Sequence, residues 1–70
     1  MRYREAARKL TRLGCCEVQT RSGGSHRRWF NPTTRKSATL PDWGGRDLKI
    51  GTLRSAVGQL GLDWTEFREA

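Results

Sequence analysis

Between Tyr3 and Leu13 the apolar residues Tyr3, Ala6, Ala7, Leu10 and Leu13 recur at steps of three and four, and beyond Gly14 the repeat shortens to two. Steps of three and four draw one stripe along a helix, whereas a repeat of two alternates across a strand. A chain of 70 residues that switches between these periods has to fold as a helix packed on a small sheet. Arg4, Glu5, Arg8, Lys9 and Arg12 cover the rest of the first helix, and Glu5 precedes Lys9 at the favourable i, i+4 spacing. Gly14 stands just past the helix end, where a left-handed backbone costs glycine little.

Cys16, Val18 and Thr20 then alternate with Glu17, Gln19 and Arg21, which reads as a half-buried strand with the first set facing inward. Ser22-Gly23-Gly24-Ser25 breaks it, and a second strand is expected from His26 to Asn31. Asn31-Pro32 opens a turn, and a third strand, Ser37 to Leu40, ends at Pro41, which lacks the N–H a ladder needs. Short connections favour an antiparallel meander. If Trp29 faces the core, then His26, Arg28 and Phe30 share the other face. After the Pro41–Gly45 loop, Ile50, Leu53, Val57 and Leu60 return to helical spacing and define a second buried stripe that stops at Gly61. Asp63 and Glu66 have the spacing of a capping box, with Leu62 and Phe67 in the staple positions. This predicts a short last helix, Trp64 to about Glu69. The expected architecture is α+β, helix–three-stranded antiparallel sheet–helix, in one domain over residues 1–70, with its core in 3–62 and a terminal helix in 63–69.

Composition bounds what such a fold can do. The chain carries 14 Lys and Arg against 7 Asp and Glu, a net charge of +7, and 34% of its residues are hydrophobic. A core of this size supplies only about 3–5 kcal/mol, which argues against a deep cleft or a buried cofactor. No apolar run approaches the roughly 18 residues of a membrane span, and no signal-peptide pattern follows Met1. Cys15 and Cys16 are adjacent, so one would face the core and the other solvent as free thiols. With His26 they fall short of the roughly four ligands zinc takes. The expectation is a soluble, cytoplasmic protein without cofactor or metal, whose partner is a polyanion. Residues 1–60 hold 13 of the basic residues and 4 of the acidic ones, so the charge belongs to the body of the fold.

Two constellations could use that charge. Gly23-Gly24-Ser25-His26-Arg27-Arg28 sets the chain's one histidine directly after a glycine turn, with two arginines behind it. Histidine exchanges protons near neutral pH, and metal-free RNA cleavage needs a base on the 2′-hydroxyl and positive charge at the phosphate. Arg46, Lys49, Gly51-Thr52 and Arg54 surround the start of the second long helix, where free N–H groups favour an anion. Trp29, Phe30, Trp43 and Trp64 can stack on bases or simply pack, and Trp43, in a Pro-Gly loop, is the best placed of them for an exposed contact.

Gly24-Ser25-His26, Asn31-Pro32, Leu40-Pro41 and the segment Asp47-Leu48-Lys49-Ile50-Gly51-Thr52-Leu53-Arg54 running to Leu60-Gly61-Leu62 together resemble the HicA family of bacterial toxins. The resemblance implies a double-stranded-RNA-binding-like fold with both helices on one side of the sheet. It also implies a toxin of a type II toxin–antitoxin system, a metal-independent ribonuclease that cuts mRNA. By the same resemblance His26 is catalytic, Gly24 and Ser25 form its loop, and a HicB-type antitoxin blocks the toxin. Many members carry a further histidine where this chain has Trp43, which leaves the leaving-group proton to another donor. Tyr3, Lys36 and Lys49 are the candidates. Arg27, Arg28, Lys36, Arg46, Lys49 and Arg54 are the residues expected to hold RNA. The competing expectation is a double-stranded-RNA-binding module without chemistry.

Overall fold

A computed structural model describes residues 1–18 and 25–70 of the chain. The element order is α1 (Tyr3–Arg12), β1 (Cys16–Val18), β2 (His26–Asn31), β3 (Lys36–Pro41), α2 (Ile50–Gln59) and α3 (Trp64–Glu69). The strands form one antiparallel sheet in the order β1-β2-β3. This is the expected α+β layout, a helix, a three-stranded sheet, a second helix and a short terminal helix. The expected continuation of β1 to Thr20 and Arg21, and the Gly23-Gly24 break, lie outside the described residues.

Both long helices stop for the same reason. Gly14 and Gly61 take left-handed backbones, φ +91° and +74°. At α1 the Gly14 N–H donates to Thr11 O at 3.0 Å and the Cys15 N–H to Leu10 O at 2.9 Å. At α2 the Gly61 N–H donates to Gly58 O at 3.0 Å and the Leu62 N–H to Val57 O at 3.1 Å. These paired bonds form a Schellman motif at each end and satisfy carbonyls that the helix itself leaves open. Gly61 is doubly constrained, since a Cβ there would meet Thr34 Cγ2 at 2.8 Å. Asp63 caps α3 as its spacing predicts, its carboxylate accepting from the Glu66 N–H at 3.1 Å.

One sheet face carries the core. Glu17, Trp29 and Ala38 lie side by side across the strands, with Arg27 opposite Leu40. Tyr3, Ala6 and Leu10 of α1, Leu53, Ala56 and Val57 of α2, and Phe67 of α3 pack with Trp29, Ala38 and Leu40 in one cluster. The other face presents Cys16, Val18, His26, Arg28, Phe30, Ser37 and Thr39, all exposed except the half-buried Phe30.

Two expectations of burial are overturned. Cys16 and Val18 point outward, Val18 remaining 40% exposed, while Glu17 faces the helices. The inward polar side chain is tolerated because Tyr3 and Arg27 bind its carboxylate. Cys15, buried just before the strand, supplies the apolar side chain that the alternation assigned to Cys16. Ile50 is 65% exposed rather than part of the α2 stripe. Leu48 is buried in the segment leading into α2, held there by its N–H to Met1 O at 2.8 Å and by the bridge between Arg2 and Asp47.

Asn31 joins the sheet to α2. Its side chain is 2% exposed, and its Nδ2 donates to Leu60 O at 2.9 Å while its Oδ1 accepts from the Thr33 N–H at 3.1 Å. Thr34 Oγ1 adds a second bond to Leu60 O at 2.8 Å. Asn31→Ala removes one of the two bonds to Leu60 O, leaving that of Thr34, and takes the side-chain acceptor from the Thr33 N–H, an expected loss of about 1–3 kcal/mol. Urea unfolding followed by circular dichroism checks it, with the midpoint falling and the slope unchanged.

Candidate active site

His26 is the first residue of β2, paired with Pro41 at the last residue of β3, and its side chain is exposed. The Asp42 N–H donates to Ser25 O, which closes the ladder one step beyond this pair. Ser25 therefore sits against the chain leaving β3, and Gly24 lies outside the described residues. Arg28 stands two residues along on the same face as His26, opposite Val18 of β1 and Thr39 of β3. This matches the face expected from burial of Trp29, which is 3% exposed.

Arg27 points the other way. Its guanidinium lies between two carboxylates, Nη1 at 3.7 Å from Glu17 Oε2 and Nη2 at 3.5 Å from Asp42 Oδ2. Glu17 also accepts from the Tyr3 hydroxyl, and that hydroxyl accepts from Trp29 Nε1 at 3.2 Å. Asp42 Oδ1 accepts from the Gly44 N–H at 3.0 Å. A continuous polar chain thus runs from the core indole to the loop after β3, tying α1 to β1, β2 and the residue that follows β3, beside His26. Glu17 and Asp42 were not among the residues singled out from sequence. The signal available for Glu17 was an acidic residue in a strand whose neighbouring helix starts with tyrosine.

The remaining basic residues divide by position. Arg46 and Lys49 lie on the segment that leaves β3 at its His26 end, with the Arg46 guanidinium 5.9 Å from the Trp43 ring centre. Trp43 is half-buried against the core rather than free for an outside contact. Lys36 pairs with Asn31 at the opposite end of the ladder, roughly 17 Å of strand from His26. Arg54 lies over Trp64, 5.4 Å from its ring centre, and Trp64 in turn stacks on Phe67. Of the three candidate proton donors, Tyr3 is buried and committed to Glu17, Lys36 lies at the far end of the ladder, and Lys49 stands exposed at the N-cap of α2. Among the described residues no cluster of three or more His, Cys, Asp or Glu is placed to hold a metal ion, and no helix is long and apolar enough to cross a membrane.

Burial pushes the Tyr3 hydroxyl above its ordinary value of 10.0, and its bond to Glu17 pushes the same way. Burial likewise raises the Cys15 thiol above its ordinary 9.0, with Cys16 adding to the shift. In both cases the folded chain keeps a proton that the unfolded chain releases first. The stability this contributes is complete below the unfolded values and is lost as pH rises through the folded ones. The urea midpoint should therefore fall on going from neutral pH to above about pH 10, and fall less steeply in Tyr3→Phe. Equal slopes in the two proteins would remove Tyr3 as the cause.

A family model described as the HicA toxin of bacterial toxin–antitoxin matches residues 3–62. The match spans α1 through the α2 cap and stops short of α3. No curated protein and no solved structure gives a match. The matched span is most of the chain and its order of elements is the one derived above, so this chain belongs to the HicA family, the toxins of bacterial toxin–antitoxin pairs.

Proposed function

We propose that this toxin is a metal-independent endoribonuclease that cleaves mRNA with His26 as its catalytic residue. The observation that carries the reading is an exposed imidazole at the mouth of β2, on the open sheet face with Arg28 beside it. His26 takes the proton from the 2′-hydroxyl, and the alkoxide attacks the neighbouring phosphorus. Arg28, on the same face, offsets the charge that builds on the phosphoryl oxygens. Ser25 and Gly24 lead into His26 as its supporting residues, and Arg46 and Lys49 hold flanking phosphates on the segment beyond β3. Lys49 is the candidate that returns a proton to the leaving 5′-oxygen. Lys36 and Arg54 contribute to the general attraction of a polyanion rather than to the reacting phosphate.

Arg27 is proposed as a positioning residue. Its charge is met by Glu17 and Asp42, and its strand neighbour is His26. These ion pairs are half-exposed, so their worth in stability is small, about 0–1 kcal/mol. What they fix is where β2 begins relative to β1 and the loop after β3. The antitoxin partner is a HicB-type protein, and the adjacent free thiols Cys15 and Cys16 fit a reducing cytoplasm. Trp43, where many relatives carry a second histidine, favours one other reading, an RNA-binding module without chemistry.

The deciding experiment compares native protein and His26→Ala on a single-stranded transcript in EDTA, after circular dichroism shows both folded. Cleavage by the native protein alone supports the proposal. Equal cleavage by both takes His26 out of the mechanism, and none by either favours plain binding. A second comparison separates the two arginines. Arg28→Gln should lower RNA affinity and make its dependence on log salt shallower by about 0.7 for a single strand, whereas Arg27→Gln should leave that slope unchanged and lower the cleavage rate at saturating RNA.

A further inference from the structure

Arg4, Arg8 and Arg12 follow one another at one-turn intervals along α1, about 6 Å apart along its axis. Tyr3, Ala6 and Leu10 are buried on the opposite side, so the three arginines form an exposed ridge pointing away from the sheet. They border an open cleft of about 500 Å³ with Tyr3, Ala7 and Thr11. The ion pairs among the described residues belong to the Met1 amine and to Arg27, and none to these three. Lys9, by contrast, is used within the fold, its Nζ donating to Arg68 O at 2.7 Å and Ala70 O at 3.0 Å.

Like charges one turn apart repel, and Arg4 adds its charge to the positive end of the helix dipole, whereas Arg12 in the last turn is favourably placed. An anion bridging the arginines relieves both effects. We infer that the ridge is a docking track for an RNA phosphodiester backbone, separate from the face that carries His26. The inference rests on the ribonuclease reading only in taking RNA as the ligand.

The chemistry of the cleft favours RNA over an acidic protein. Its lining offers Ala7, Thr11 and a buried Tyr3, and no large exposed apolar residue. Protein interfaces are anchored by aromatic and large apolar side chains at a desolvated centre. Val18 and the partly covered Phe30 provide such groups on the open sheet face, and α1 does not. Guanidinium forks repeated at regular intervals along a straight line suit successive phosphates of one strand. Because the ridge lies over the helices and His26 on the far side of the sheet, the track captures RNA without touching the reacting phosphate.

The test uses the full chain and a 2′-O-methyl RNA of about 20 nucleotides, which binds but lacks the 2′-hydroxyl needed for cleavage. Affinity is measured by fluorescence anisotropy across about 50–200 mM salt. The triple variant Arg4→Gln/Arg8→Gln/Arg12→Gln should bind more weakly, with a salt slope shallower by about 2, and the corresponding triple lysine variant should keep the native slope. Should the triple glutamine variant lose its circular dichroism, Arg8→Gln alone should still lower the slope by about 0.7. A native slope in the folded glutamine variants overturns the track while leaving the ribonuclease reading intact. Failure of the native protein to bind the RNA at all overturns both.

Discussion

An indole N–H placed in an apolar core must find an acceptor, and much of this structure follows from how Trp29 finds one. Its Nε1 reaches the Tyr3 hydroxyl, which donates to Glu17, and Glu17 meets Arg27, which also meets Asp42. Each member would be costly to bury alone. Together they form a satisfied chain from the centre of the core to the rim, and no buried side-chain polar atom among the described residues is left without a partner. The chain fixes α1 over the sheet through Tyr3, sets which face of β1 is inward through Glu17, and aligns the start of β2 through Arg27. His26 is the residue before Arg27, turned to the opposite face.

This polar chain also marks where the sequence stopped being legible. The helices, their glycine stops at Gly14 and Gly61, the Asp63 cap and the three-stranded meander were all readable, because each depends on local chemistry or on a period. The face of β1 was not. Alternation is symmetric to a one-residue shift, and the apolar Cys16 and Val18 outweighed a glutamate whose partners come from α1 and β2. Ile50 misled in the same way, since Leu48 occupies the core through contacts with the chain start that no helical period encodes. Within the candidate site, the exposure of His26 and its shared face with Arg28 followed from Trp29 being core. The engagement of Arg27 did not, because one residue's shift along a strand exchanges a solvent face for a carboxylate-lined one.

A small basic fold is well matched to the proposed chemistry. Cleavage of RNA through its own 2′-hydroxyl brings the nucleophile within the substrate, so the protein has to supply a base, a proton donor and positive charge rather than an enclosed pocket. An open sheet face offers the first of these at His26 and charge at Arg28. Charge elsewhere does different work: Arg27 holds strands together, Lys9 ties the end of α3 to α1, and the Arg4–Arg8–Arg12 ridge is left facing outward. The net +7 is therefore a sum over several roles, and position in the fold separates them.

The most direct test of the central claim is the chemistry of the cut ends. An attack by the 2′-oxygen, begun by His26 as base, leaves a 2′,3′-cyclic phosphate on one fragment and a 5′-hydroxyl on the other. Mass spectrometry of the fragments formed in EDTA reads this at each cut. Cyclic phosphate ends, absent when the 2′-hydroxyl is methylated, are the predicted result. Fragments ending in 3′-hydroxyl and 5′-phosphate would require water rather than the 2′-oxygen as the nucleophile, and would contradict the assignment of His26.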